Sequence, residues 1–168
     1  MINRVGLMNV TRRKIVFSVI LLAAIGAILL VWSELRERMY DLHYTPKASQ
    51  MTFEFKTPTQ VPFAEMKVTD FTVGEDQREA EMSLLNADIN MMDIRISSSK
   101  PEYEADKIER VEIGQDMYGD FIPNDAGRRI LTWKDDLYYE MIYYPKLTPR
   151  EVSKTQLIQM AESFKKMD

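Results

Sequence analysis

The residue types that support nucleophilic catalysis occur together at one place in this chain, the run Ser97-Ser98-Ser99-Lys100. A serine activated by a neighbouring lysine would be a nucleophile for acyl transfer. A serine cluster followed by Lys-Pro is also typical of a solvated loop, and we favour that interpretation. A Ser-His-Asp mechanism would need His43, the single histidine of the chain, which we place outside the folded domain. The sequence therefore predicts no catalytic residues, and we expect that the protein is not an enzyme.

Metal and cofactor sites find equally little support. Asp116, Asp120 and Asp125 lie in a Gly-containing segment and could gather a hard cation such as calcium. Their spacing matches no known calcium loop, so we interpret them as turn-forming acids. The sequence has no Gly-rich phosphate loop, no G-x-S-x-G elbow and no H-E-x-x-H motif. Because it also has no cysteine, disulfides and thiolate metal sites are excluded. We predict no metal and no cofactor.

Methionine is unusually frequent, with 12 in 168 residues. Four of these residues fall on faces that we expect to be buried: Met82, Met92, Met141 and Met160. Flexible thioethers fill irregular gaps in a core, but they also line adaptable grooves for an acyl chain or an apolar peptide. Core filling is the simpler interpretation, and the groove stays open as the functional one.

The elements that would position these residues begin with an apolar run of 18 residues from Ile15 to Trp32, which Ser18 alone interrupts. A helix of that length rises about 27 Å, close to the roughly 30 Å hydrocarbon core of a bilayer. The small residues lie inside the run rather than after it, which favours a permanent anchor over a cleaved signal peptide. We predict a single-pass transmembrane helix at residues 15–32, with the lipid bilayer as a partner.

Charge suggests how such an anchor would be oriented. Four basic residues and no acidic one precede the run, while the rest of the chain holds 18 basic and 26 acidic residues. Clustered Lys and Arg stay on the cytoplasmic side, so we predict a cytoplasmic tail at residues 1–14 and an extracytoplasmic C-terminal domain. An acidic domain is a poor nucleic-acid binder, and we exclude that partner.

Beyond the run, residues 33–50 are predicted as a stalk and linker, helical to about His43, and residues 51–168 as one α+β domain. Alternation of apolar and polar residues predicts strands in that domain. The candidates are residues 51–55, 66–73, 79–86, 91–97, 107–113, 116–121, 128–133 and 137–144. Thr148, Pro149 and Glu151 fit the start of a helix, whose apolar stripe must pack on the sheet.

The closing hairpin and helix resemble a known family. The runs LTWKDDLYY at residues 131–139 and LIQMAESF at residues 157–164 look like the signature of an uncharacterised extracytoplasmic domain. That domain is found in single-span membrane proteins of Gram-positive bacteria, often anti-sigma-factor-like ones, and is similar to the lipoprotein-carrier fold group. The resemblance implies a curved antiparallel sheet covered by a helix. Zinc-binding His and Cys residues are missing from the N-terminal segment, so an anti-sigma role does not transfer.

Together these features predict a non-catalytic, membrane-anchored binding or sensor module that engages a protein partner of the membrane or envelope, or a lipid-like ligand. Its candidate surface is Tyr138, Ile142 and Tyr144, because one helix cannot cover both faces of a sheet. The opposite face of that strand, with Tyr139 and Tyr143, is predicted to be core. The alternative is an assembly subunit of a membrane complex held through its transmembrane helix, in which Ala23 and Ala27 would permit close helix packing.

Overall fold

The computed structural model describes residues 18, 20–26, 37–44, 54–74, 78–105, 107–146 and 151–166. The chain divides into two compact units, Met1–Glu37 and Arg38–Asp168.

The described part of the first unit corrects the prediction of a membrane-spanning helix. Residues 18 and 20–26 are helical, but none of the described helices is long and apolar enough to cross a bilayer. The prediction of a transmembrane helix from Ile15 to Trp32, and with it of a single-pass anchor, is therefore wrong for the residues that the structure describes. Residues 15–17, 19 and 27–32 of this run lie outside them. Location outside the cytoplasm stays a prediction.

A large antiparallel sheet dominates the second unit, so the predicted fold class, α+β with a transmembrane helix before a curved sheet, is also wrong. Strands account for 48% and helices for 14% of the described residues. The strands are β1 Tyr40–Asp41, β2 Lys56–Pro58, β3 Gln60–Val61, β4 Lys67–Val73, β5 Glu79–Leu85, β6 Met91–Ser97, β7 Glu109–Ile113, β8 Met117–Asp125, β9 Arg128–Lys134, β10 Tyr138–Tyr143 and β11 Phe164–Lys166. Seven of them form one sheet in the order β4-β5-β6-β10-β9-β8-β7.

One face of this sheet carries the main core. Alternate residues of β5 to β10 point into it, among them Tyr139 and Tyr143, which are completely buried. All four methionines that were predicted to be buried lie here as well, each with no exposed surface. They fill the core, which is the simpler of the two interpretations of methionine.

Helix α1, Lys154–Glu162, covers this core with Leu157, Met160 and Ala161. Ser153 caps it: the Gln156 amide donates to Ser153 Oγ (3.1 Å), and the Ser153 amide donates to Gln156 Oε1 (3.2 Å). The helix thus begins directly after Ser153 and not at the predicted Thr148 and Pro149, which lie outside the described residues.

Two short strand pairs complete this layer. β1 pairs with β3, and Leu42 beside β1 is buried in the core. The described residues 37–44 contain no helix, so the predicted helical stalk is replaced there by a strand that belongs to the second unit. β2 pairs with β11, directly after the helix. Of the predicted strand at residues 51–55, residues 51–53 lie outside the described residues, and Phe55 is buried next to β2.

The opposite face is crossed by the connection between β6 and β7. Its described residues 98–105, here called the strap, lie over three completely buried isoleucines: Ile122, Ile130 and Ile142. Tyr103 and Ala105 of the strap pack against them. This second, smaller cluster means that the sheet is covered on both faces.

The hairpin between β8 and β9 yields a stability prediction. Ala126 and Gly127 lie between the paired residues Asp125 and Arg128 and have φ of 50° and 82°. Two successive left-handed residues are typical of a type I′ turn, which favours Asn-Gly, and alanine is strained there. Ala126→Asn is expected to raise the free energy of unfolding by about 0.5–1 kcal/mol in denaturant titrations. Ala126→Val should lower it, and a loss of stability with asparagine would contradict the turn assignment.

Candidate functional site

The structure separates the three residues of the predicted binding surface. Ile142 is completely buried beneath the strap, whereas Tyr138 and Tyr144 are half-buried. Ile142 therefore belongs to the strap cluster and is covered in this structure. The predicted surface thus contains one residue that the structure buries. The alternation of side chains had left this face open, but the strap covers part of it.

Tyr144 is held by polar contacts at the covered end of this face. Its hydroxyl donates to Asp93 Oδ2 (2.7 Å), and Ser83 Oγ donates to Asp93 Oδ1 (2.7 Å). Burial and then the hydrogen bond to Asp93 raise the pKa of Tyr144 to about 12. Asp93 itself is buried. These contacts give Tyr144 a structural role, and Tyr138 remains as the accessible aromatic of the predicted set.

Across the middle of the face, the register aligns charged side chains of neighbouring strands. The row consists of Glu81, Arg95, Glu140, Thr132, Asp120 and Arg110. Both basic residues of the row are neutralised within it: Arg95 Nε lies 3.2 Å from Glu81 Oε1, and Arg110 Nη1 lies 3.3 Å from Asp120 Oδ1. The row is therefore largely self-compensated and offers little free charge to a ligand.

Two clefts open beside Tyr138. The first has a volume of about 440 Å³ and is lined in part by Glu140, which is buried. The second has a volume of about 760 Å³ and is lined in part by Tyr118, which is 50% exposed. Tyr138 and Lys100 line both clefts. Tyr138 and Lys100 therefore lie at the border between the two clefts.

Cations stand over both tyrosines of this region. Lys134 pairs with Tyr138 across the hairpin, and its Nζ lies 5.4 Å from the Tyr138 ring centroid. Arg110 Cζ lies 5.4 Å from the Tyr118 ring centroid. Such contacts hold a cation over the face of an aromatic ring. We call the set Lys100, Arg110, Tyr118, Lys134 and Tyr138 the Tyr138 surface.

Two cations of the Tyr138 surface have no acidic partner in the part of the chain that the structure describes. Among these residues, no carboxylate forms an ion pair with Lys100 or Lys134. Asp135, which also lines the second cleft, is paired with Lys56. Within its described residues, the domain thus presents two unpaired lysines in the cleft that Tyr138 lines.

The other residues with chemical potential are placed apart from one another. Ser97 Oγ donates to Glu79 Oε1 (3.5 Å) and makes no hydrogen bond to Lys100, so the serine-lysine pair is not assembled. His43 is exposed and does not line either cleft.

The three aspartates that were considered for calcium are spread along the β7–β8–β9 region. Asp120 pairs with Arg110, Asp125 pairs with Arg128, and Asp116 lies in a turn with a φ of 64°. Within the described ranges, no group of three or more His, Cys, Asp or Glu side chains could hold a metal ion.

Sequence reasoning missed Lys100, Tyr118 and Lys134, which had been assigned to loops, turns or an unremarkable strand. Alternation along β8 places Tyr118 and the next residue, Gly119, on different faces of the sheet, and Gly119 is on the buried one. The register that sets Tyr138 beside Lys134 comes from the short hairpin, which was predicted. The position of Lys100 depends on the path of the strap, for which the sequence carries no signal.

Comparison with known proteins adds no family to this geometry. The chain matches no family model, no curated protein and no solved structure. The resemblance to an extracytoplasmic domain of Gram-positive bacteria stays a prediction. The function is therefore argued from the Tyr138 surface alone.

Proposed function

We propose that the Arg38–Asp168 unit is a non-catalytic binding module that engages an acidic segment of a protein partner through the Tyr138 surface. The proposal is carried by one observation: Lys100 and Lys134 line the second cleft together with the partly exposed Tyr138 and have no ion-pair partner in the described residues. A carboxylate of the partner would pair with them, and an adjacent side chain would lie on the Tyr138 ring.

The net charge of the chain supports a selective interaction with an acidic partner rather than non-specific association. The chain as a whole has a net charge of −4, so an acidic partner is repelled by most of the surface and attracted at this place. Electrostatic complementarity of this kind sets the orientation and rate of docking more than raw affinity. Aromatic side chains supply contact area at a low entropic cost, which is why they are frequent in binding surfaces.

A protein segment fits better than the lipid-like ligand that the sequence also suggested. Pockets for apolar ligands are lined mainly by hydrophobic side chains, whereas charged and hydroxyl residues line much of both clefts. The methionines that would have formed an acyl-chain groove fill the core instead. The alternative function, assembly through a transmembrane helix, required a helix that the described residues do not contain.

Charge reversal combined with site-specific photocrosslinking tests the proposal. A photoreactive phenylalanine analogue in place of Tyr118 should form adducts with the partner in cells that express the full chain. Lys100→Glu with Lys134→Glu should reduce the adduct yield at least about tenfold, because like charges across an interface cost several kcal/mol. Lys67→Glu with Lys165→Glu is the matched control, since these lysines are exposed elsewhere on the unit.

The control pair should crosslink as the unaltered chain does, and both variants should keep its melting temperature. Equal adduct yields from the two charge-reversed variants would overturn the proposal. So would a complete absence of adducts from the unaltered chain.

A further inference from the structure

The strap covers a patch that is apolar and concealed. Ile122, Ile130 and Ile142 come from the neighbouring strands β8, β9 and β10 and have no exposed surface. Among the described residues, Tyr103 and Ala105 of the strap are packed on them, together with Tyr144 of the sheet side. The three isoleucines form a row across the sheet, since Ile122 pairs with Ile130 and Ile130 pairs with Ile142.

The strap is weakly tied to the sheet beneath it. The Ser98 amide donates to the Arg78 carbonyl (3.2 Å) and the Ser99 amide donates to Ser97 Oγ (3.0 Å). Residues 100–105 make no backbone-to-backbone hydrogen bond with other described residues. Segments with few such bonds open at a lower free energy than paired strands do. Side-chain packing is therefore the main attachment of the strap.

That packing is centred on Tyr103 and is itself imperfect. Its hydroxyl is buried without a partner of full hydrogen-bond geometry, although Glu140 lies close enough to act on it. Burial and then Glu140 raise the pKa of Tyr103 above its ordinary value. A buried hydroxyl that lacks a well-formed hydrogen bond costs free energy. Release of the strap would recover part of that cost.

We propose that the three-isoleucine patch is a second peptide-binding site, which the strap fills in this structure and which an extended segment of a partner protein fills when the strap is displaced. The strap shows what the site accepts: an aromatic residue followed, two positions later, by a small one, as in Tyr103-Glu104-Ala105. Side chains two apart lie on the same side of an extended chain, so both can face the isoleucines.

The strap also indicates which charge the incoming segment should carry. Glu102 and Glu104, on either side of Tyr103, are exposed. The positive charges of Arg95 and Arg128 act on the Tyr103 hydroxyl from the sheet. A segment with acidic residues around its aromatic anchor would keep this arrangement. The site therefore fits an acidic, aromatic-containing peptide. It lies beneath the strap and is distinct from the Tyr138 surface, although Lys100 belongs to both the strap and that surface.

Displacement of the strap can be measured because the chain contains no cysteine. Ile130 and Leu131 are adjacent in β9, are both completely buried and point to opposite faces. In the full-length protein, Ile130→Cys should react with a thiol reagent at least about tenfold faster than Leu131→Cys under native conditions. Adding Tyr103→Ser should accelerate the reaction of Ile130→Cys further and leave that of Leu131→Cys unchanged. If both cysteines react only at the rate of global unfolding, the patch is a static core and the proposal is wrong.

Occupancy by a second peptide is tested with the strap sequence itself. A synthetic peptide of residues 99–105 is added to full-length Tyr103→Ser protein, and the methyl NMR signals of Ile130 and Ile142 are followed. We expect saturable shifts of these signals, much smaller shifts in the unaltered protein, and none from a peptide with serine in place of its tyrosine. The absence of shifts in the folded Tyr103→Ser protein, or equal shifts with both peptides, would overturn the assignment of a peptide site.

Discussion

Phe164→Ala is expected to lower the free energy of unfolding of the Arg38–Asp168 unit by about 3 kcal/mol. The Phe164 ring meets the Trp133 ring edge-on with centroids 5.0 Å apart, and the Tyr139 ring at 5.6 Å. Its removal would leave a cavity beside two aromatic rings and would delete both edge-to-face contacts. Urea or guanidinium titration of the full-length protein, followed by tryptophan fluorescence, measures the loss.

Lys165→Ala is the matched control for this change. Lys165 is the next residue of β11 but is exposed, so its truncation should alter the free energy of unfolding by no more than about 0.5 kcal/mol. Equal effects of the two substitutions would mean that Phe164 is not packed against Trp133 and Tyr139 as described.

Gly119→Ala is expected to cost about 3 kcal/mol, at the upper end for overpacking. A Cβ at Gly119 would lie 2.7 Å from Ile113 Cδ1 and 2.8 Å from the Thr132 carbonyl oxygen. The isoleucine can rotate away, but the carbonyl belongs to the paired strand β9 and cannot move without disturbing the ladder. The melting temperature of the full-length protein should fall accordingly.

A double variant separates these two contacts. Ile113→Val removes Cδ1 and therefore the contact at 2.7 Å, but the contact with the carbonyl of Thr132 remains. Gly119→Ala with Ile113→Val should recover less than half of the stability lost by Gly119→Ala. Full recovery would show that the side chain, and not the backbone of β9, makes glycine necessary at this position.

The central strands could be predicted because their side chains alternate between a buried and a less buried face. β6 was predicted with its observed bounds, Met91–Ser97, since Met92, Ile94 and Ile96 face the core. The hairpin of β9 and β10 followed from its short turn, and its core face, with Tyr139, was assigned correctly. Patterns of period two report which side of a strand is buried most deeply, and this sheet has one dominant core.

The features that were missed depend on information that periodicity does not contain. Ser153 and Gln156 form the capping box that begins the helix, but an earlier Thr-Pro pair satisfied the same rule and was chosen instead. The stalk was read as helical from its composition, whereas pairing with β3 makes Tyr40–Asp41 a strand. The apolar run at residues 15–32 was interpreted as a membrane span from its length and composition.

For the candidate site, periodicity predicted the face of the strand but not which of its residues are accessible. Alternation placed Tyr138 and Ile142 on the same face of β10, which is correct as far as the strand is concerned. Which of them is accessible depends on the strap, and the path of a connection without repeating pattern cannot be derived from hydrophobic spacing. Lys100 of the Tyr138 surface was missed for the same reason, since its position depends on the path of the strap, whereas the position of Lys134 follows from the register of the predicted hairpin.

The pairing of β2 with β11 has a consequence for the order of folding. Thr59 and Ser163, which join these strands through the Thr59 amide and Ser163 Oγ, are 104 residues apart in the chain. Closing a loop of that length carries a large entropic cost, whereas the β8–β9 and β9–β10 hairpins close over a few residues. We infer that the hairpins form early and that β11 joins β2 after the rate-limiting step. In kinetic terms, Phe164→Ala should accelerate unfolding and leave the folding rate nearly unchanged, and a slowed folding rate would place this contact in the nucleus instead.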